Sequence, residues 1–81
     1  MGKVSRSARQ TTREVVSWFG PAVRAERERQ GMTGGELATA AGTTQAAVSE
    51  VEHGVRSVSL AVAVRIVDAL GVTLDSLRAH E

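Results

Sequence analysis

The sequence has no cysteine, no tyrosine, one proline, one tryptophan and one phenylalanine among its 81 residues. Without cysteine, disulfides and thiolate metal sites are excluded, and two histidines, His53 and His80, are too few for a histidine metal cluster. No stretch approaches the ~20 apolar residues of a membrane span, and the basic N-terminus lacks the apolar region of a secretory signal. We therefore expect one small cytoplasmic domain that needs no metal, no cofactor and no membrane.

The most specific pattern lies in residues 33–54, which predict two short helices joined by a tight turn. Thr33 and Glu36 have the spacing of a capping box, and Gly42 can end the first helix in a left-handed conformation. Thr44 then offers a cap for a second helix. This arrangement predicts a helix-turn-helix, in which the second helix enters the major groove of DNA.

Three further helices are expected around this pair. They are a helix from Thr11 or Thr12 to about Gln30, a helix over residues 59–70 that Ser59 caps, and a short helix after Thr73. Pro21 lacks an N–H, so we expect it to kink the first helix or to divide it in two. No strand pattern or internal repeat is visible. The sequence therefore predicts an all-α five-helix domain over residues 12–81, with the recognition helix at about 45–52.

Three strings of the chain resemble the Cro/C1-type helix-turn-helix family, also called the xenobiotic-response-element family, of bacterial and phage regulators. They are MTGGELA (32–38), GTTQAAVSEVEHG (42–54) and ALGVTLDSL (69–77). The resemblance covers about residues 18–78. It implies a lambda-repressor-like fold and a transcriptional regulator of repressor or controller type. Such a regulator would bind double-stranded DNA as a homodimer on a near-palindromic operator. No catalytic pattern is present, so no enzyme is expected.

The exposed start of the recognition helix carries the candidate base contacts, which are Gln45, Ala46, Ser49 and Glu50. The Gln45 amide can pair with adenine N6 and N7, and the Ala46 methyl can pack on a thymine methyl. The Ser49 hydroxyl can serve a base or a phosphate. Glu50 is either an acceptor for cytosine N4 or a solvated spacer.

Backbone and polar groups beside the recognition helix are the candidate phosphate contacts. They are Thr33, Gly34, Thr44, His53 and Arg56. Gly34 stands where relatives commonly carry a glutamine that binds a phosphate, so that side-chain contact is lost. The bare backbone at Gly34 can in turn approach DNA closely.

Charge is uneven along the chain, although the formal net charge is only +1. Residues 1–29 carry +4, from seven basic and three acidic side chains, and residues 30–81 carry −3, from three and six. Residues 1–11 are predicted to be a disordered basic arm. The arm either contacts phosphates, through Lys3, Arg6 and Arg9, or serves only as a soluble leader.

Two predictions concern packing. The resemblance implies an inward ion pair between Arg27 and Glu52, which joins the first helix to the recognition helix. Apolar residues beyond the needs of one small core predict a dimer interface at Val62, Ile66, Leu74 and Leu77. The alternative is that the final helix covers these residues within one chain.

The alternative from another class is a protein-interaction module with the same fold, such as an antitoxin or a regulator that binds a partner. The low net charge and the missing side chain at Gly34 favour it slightly. RNA polymerase or another protein therefore stays open as a further partner, and salt-dependent binding to duplex DNA separates the two readings.

Overall fold

The structure, a computed structural model, describes residues 12–55 and 58–79. Its helices are α1 (Thr12–Arg29), α2 (Gly34–Ala41), α3 (Gln45–His53), α4 (Leu60–Leu70) and α5 (Leu74–Arg78). These residues contain no strand, so the all-α five-helix fold is confirmed. The predicted arm, with Lys3, Arg6 and Arg9, lies outside the described residues, as does Arg56.

Local chemistry explains where the middle helices begin and end. The Thr33 hydroxyl oxygen accepts the Glu36 N–H at 3.0 Å, and the Glu36 carboxylate accepts the Thr33 N–H at 2.7 Å. The predicted capping box is therefore confirmed. Gly42 ends α2 at φ 67°, a left-handed backbone conformation that residues with a side chain rarely adopt. The Thr44 hydroxyl oxygen then accepts the Ala47 N–H at 3.0 Å and starts α3.

Helix α1 continues through Pro21, so the prediction of a first helix divided in two is wrong. Pro21 is exposed, so the position of α1 that lacks a backbone N–H lies away from the core. Its neighbour Gly20 is buried against the end of α3. A β-carbon on Gly20 would lie only 2.3 Å from the carbonyl oxygen of Val51. Tertiary packing of this backbone against α3 thus supports the helix across the proline.

The core lies among the five helices, with α1 packed against α3, α4 and α5, and α2 packed against α3 and α4. Its buried apolar residues are Trp18, Phe19, Ala22, Val23, Leu37, Ala38, Ala41, Val48, Val51, Ile66, Leu70 and Leu77. Trp18 and Phe19 meet edge to face, with ring centroids 6.0 Å apart. Helix α4 packs mainly on α2, and α5 packs on α1.

This packing corrects the predicted dimer interface. Ile66 and Leu77 are 0% exposed and lie in the core of a single chain, so neither can meet a second copy. Val62 is only part-buried, and Leu74 is 50% exposed. The most exposed apolar residue of α4 is Leu60, at 80%. Apolar residues surround most of α4, so their spacing alone did not reveal which face turns inward.

A buried ion pair joins α1 to α3. Arg27 donates from Nε to Glu52 Oε2 at 2.7 Å and from Nη2 to Glu52 Oε1 at 3.0 Å. Its Nη1 donates to the carbonyl oxygen of Met32 at 2.8 Å. The Glu52 carboxylate raises the pKa of Arg27 above its usual value. The two-point geometry fixes the orientation of α3 relative to α1.

A second polar network, which the sequence did not reveal, joins the end of α1 to the end of α4. The Gln30 amide nitrogen donates to Leu70 O at 2.7 Å and to Glu26 Oε2 at 2.8 Å. Glu26 is buried and also accepts from Arg29. The Gln30 amide thus satisfies a carbonyl at the end of α4 that lacks an intrahelical partner.

The first prediction concerns the Arg27–Glu52 pair. Arg27→Met leaves the Glu52 carboxylate buried without its partner, so we expect a loss of about 3–5 kcal/mol in the free energy of unfolding. The double variant Arg27→Met/Glu52→Leu should recover most of it. Arg24→Met, which breaks an exposed i,i+4 pair with Glu28, is the matched control and should cost about 0.3–0.5 kcal/mol. Urea denaturation followed by circular dichroism measures all three, and equal losses at Arg24 and Arg27 would contradict the assignment.

The second prediction concerns the close approach at Gly20. Gly20→Ala should destabilise the fold by about 1–3 kcal/mol, because its β-carbon meets backbone atoms that cannot move aside singly. Gly34→Ala is the control, since a β-carbon there meets nothing closer than 3.9 Å. Thermal unfolding compares the two variants. A Gly20→Ala protein as stable as the wild type would show that α1 and α3 can separate freely.

Candidate nucleic-acid interface

The outer face of α3 carries the exposed residues predicted to contact bases. Gln45 and Ser49 stand one helical turn apart, and Ala46 lies beside them. All three are exposed, whereas Val48 and Val51 are buried on the opposite side. The 3.6-residue period therefore separates a face that packs on the core from a face open to a ligand.

Glu50 lies at the edge of this face and is part-buried. It does not project freely beside Gln45 and Ser49, and Ala47 next to it is also part-buried. The described surface thus brings three of the four predicted base-contact side chains together and leaves the Glu50 carboxylate at their margin.

The caps of α2 and α3 place two threonine hydroxyls near this face. Thr33 and Thr44 are both exposed, and each hydroxyl oxygen accepts a backbone N–H of its own helix. The hydroxyl hydrogen remains available as a donor while the oxygen caps. Each residue can therefore cap its helix and donate to a phosphate oxygen at the same time.

The side chain of Gln45 lies over the first turn of α2. A β-carbon on Gly35 would lie 3.6 Å from Gln45 Oε1, and one on Gly34 would lie 3.9 Å from Gln45 Nε2. The two glycines therefore put bare backbone next to the Gln45 amide. Any long side chain at either glycine would compete with Gln45 for this space.

A cleft of about 240 Å³ opens between α1, the start of α2 and α3. Its lining residues are Arg24, Arg27, Gly34, Gln45, Val48, Ser49, Glu52 and His53. The buried Val48 and the Arg27–Glu52 pair form its inner wall, and the exposed lining residues form its rim. Two of the predicted base contacts, Gln45 and Ser49, thus share one cavity with a part of α1.

His53, a predicted phosphate contact, lies at the rim near the end of α3. Its Nδ1 is 2.8 Å from the carbonyl oxygen of Ser49 and 3.4 Å from the Ser49 hydroxyl. Because a carbonyl only accepts, Nδ1 carries a hydrogen in this geometry. The other ring nitrogen, Nε2, is then left for a different partner.

Arg24 is a rim residue that the sequence analysis did not select. It lies on α1 one helical turn before Arg27 and pairs with Glu28 at 3.3 Å, with both side chains about half exposed. The i,i+3 spacing of the two arginines could have revealed that they share a face.

The described residues contain no cluster of three metal-ligating side chains. No helix among residues 12–55 and 58–79 is long and apolar enough to span a membrane.

Comparison with known proteins agrees with this geometry. The model of the helix-turn-helix family matches residues 23–77. The crystal structure of the clp gene regulator ClgR from C. glutamicum is similar, with 30% sequence identity and a TM-score of 0.72. That alignment covers 86% of this chain and 87% of ClgR. No match was found among proteins with curated annotation.

The matched family region contains α2 and α3 in full, together with the whole rim of the cleft. The resemblance inferred from the sequence is thereby confirmed at the level of the family. The chain belongs to the helix-turn-helix family and is a DNA-binding transcriptional regulator rather than an enzyme.

Proposed function

We propose that the protein reads a specific duplex sequence with Gln45, Ala46 and Ser49 in the major groove. The observation that carries this proposal is their shared exposure at the start of α3, opposite the buried Val48 and Val51. The beginning of a recognition helix is the part that reaches base edges. Of the three, the Gln45 amide has the most specific chemistry, because it can pair with adenine through two hydrogen bonds.

Phosphate contacts on either side of α3 would hold it in register. Thr33, Gly34 and Thr44 lie beside the exposed face and offer hydroxyl and backbone donors. His53 is a weaker candidate, because its Nδ1–H already points to the carbonyl oxygen of Ser49 and a neutral ring has no second N–H. Lys3, Arg6, Arg9 and Arg56 remain predictions from the sequence. Basic side chains in the arm would add affinity that depends on salt but not on base sequence.

We further propose that the protein works as a two-fold dimer on a near-palindromic operator, as a repressor or controller. One copy of α3 touches only a few base pairs, so useful specificity calls for two half-sites about 34 Å apart. Leu60 and Val64 support this proposal, since they lie one turn apart on α4 and are 80% and 50% exposed. Leu74, at 50%, adds apolar surface at the start of α5.

The corresponding test of base reading uses Gln45→Ala. We expect it to cost about 1–3 kcal/mol at one base position and to relax the preference there, with little change on random duplex. Asp68→Ala, at an exposed position of α4, serves as the control. Selection of bound sequences from random duplexes, followed by titration of the winning site, measures both effects. An equal loss on every sequence would contradict base readout by Gln45.

The test of the dimer uses Leu60→Glu/Val64→Glu. Leu60 and Val64 form an exposed apolar stripe on α4. Two negative charges on this stripe should shift the protein toward monomer and weaken operator binding more than binding to a half-site. Ala40→Glu, which adds a charge on the exposed side of α2, should leave the oligomeric state unchanged. Sedimentation equilibrium at tens of micromolar protein measures the oligomeric state of each variant. A wild type that stays monomeric both free and on a half-site would defeat the proposal.

A protein-interaction module remains the second candidate, and the exposed apolar residues Leu60 and Val64 favour it. In that case the same stripe would meet a different protein, for example a toxin or RNA polymerase. Titration with duplex DNA at low salt separates the two functions. Binding that weakens steeply with salt supports the DNA reader, and no duplex binding at any salt supports the interaction module.

A further inference from the structure

The cleft between α1, α2 and α3 extends the proposed DNA surface beyond the recognition helix. Its volume of about 240 Å³ exceeds by several times the roughly 30 Å³ that one water occupies in the liquid. It is open to solvent on the side where Gln45 and Ser49 are exposed. A duplex that receives α3 in its major groove would therefore bring backbone atoms to the rim of this cleft.

The charge of the lining favours an anion. The lining contains two arginines and one glutamate. The glutamate, Glu52, already accepts two hydrogen bonds from Arg27. Arg24 differs from Arg27, because its partner Glu28 is exposed and only one Nε–carboxylate contact at 3.3 Å joins them. Exposed pairs of this kind contribute little and are readily exchanged for another anion.

The other arginines whose side chains the structure describes are placed less favourably. Arg29 is held by the buried Glu26 carboxylate, which raises the pKa of its guanidinium. Arg65 and Arg78 belong to α4 and α5 and do not line the cleft. Arg24 thus combines a position on the rim with a partner that it can give up.

We propose that this cleft is a subsite for one phosphodiester of the DNA backbone, and that Arg24 of α1 supplies the cation that binds it. The inference rests on the proposed reading of duplex DNA by α3 and adds a contact that α3 does not carry. On binding, the Arg24 guanidinium exchanges the Glu28 carboxylate for a phosphate oxygen, to which it can donate two parallel hydrogen bonds.

The experiment measures affinity against salt concentration on two duplexes of equal length, the selected operator and a scrambled sequence. The proteins are the wild type, Arg24→Gln, Arg24→Lys and Arg65→Gln. Arg65→Gln is the matched control, because it removes one exposed guanidinium that does not line the cleft. Circular dichroism confirms that each variant is folded.

Arg24→Gln should weaken binding to both duplexes by the same factor and lower the slope of log affinity against log salt by about 0.9, as expected for one lost phosphate contact. Arg24→Lys should restore the slope, since lysine binds phosphate as a point charge. Arg65→Gln should leave the slope close to that of the wild type. An Arg24→Gln slope equal to that of Arg65→Gln, or lost affinity with an unchanged slope, would overturn the subsite.

The same data separate this inference from the proposed function. If the wild type binds both duplexes equally but Arg24→Gln still lowers the slope, base reading fails and the subsite stands. If the wild type prefers the operator but Arg24→Gln leaves the slope of log affinity against log salt unchanged, the proposed function stands and the subsite fails. A titration with inorganic phosphate alone, followed by nuclear magnetic resonance of the Arg24 guanidinium, tests whether the cleft binds the free ion. No saturable shift is expected at millimolar phosphate, and a saturable one would assign the cleft to free phosphate instead of DNA.

Discussion

The contact between α1 and α3 is the constraint on which the rest of the structure depends. At one point the Gly20 backbone approaches the carbonyl of Val51 so closely that no side chain fits. About two helical turns further along α1, Arg27 binds Glu52 with two hydrogen bonds. A close backbone approach fixes the distance between the helices, and a two-point ion pair fixes their rotation. Together they leave α3 one orientation relative to the core.

The position of the ligand-binding face follows from that orientation. Because Val48, Val51 and Glu52 are turned toward α1 and α2, the helical period turns Gln45 and Ser49 outward. The short turn at Gly42 then brings the start of α2 beside the start of α3. The proposed DNA surface is therefore assembled from two capped helix ends and the rim of α1. Its geometry is set by packing and does not depend on a flexible loop.

Local signals could be predicted from the residues themselves, whereas the packing of one helix on another was expected only at the Arg27–Glu52 pair, and there only from the family resemblance. Thr33, Thr44 and Gly42 act through bonds to residues close in the chain, so spacing alone identified the caps and the turn. At Pro21 the sequence left a kinked helix and a divided helix open, because the support for α1 comes from α3, which is distant in sequence. Arg24 was missed because its proposed role depends on a cleft that forms only when three helices meet. The outcome at Ile66 and Leu77 had the same origin, since an all-round apolar helix does not show which side is inside.

The most direct test of the central claim is a map of backbone amide chemical shifts during titration with duplex DNA. We expect the largest changes in amide chemical shift at the start of α2, along the exposed face of α3 and at Arg24 on α1. Amides of the buried face of α3, such as Val51, should change less than those of Gln45 and Ser49. Changes confined to the exposed stripe of Leu60 and Val64 on α4, with α3 unaffected, would contradict the account.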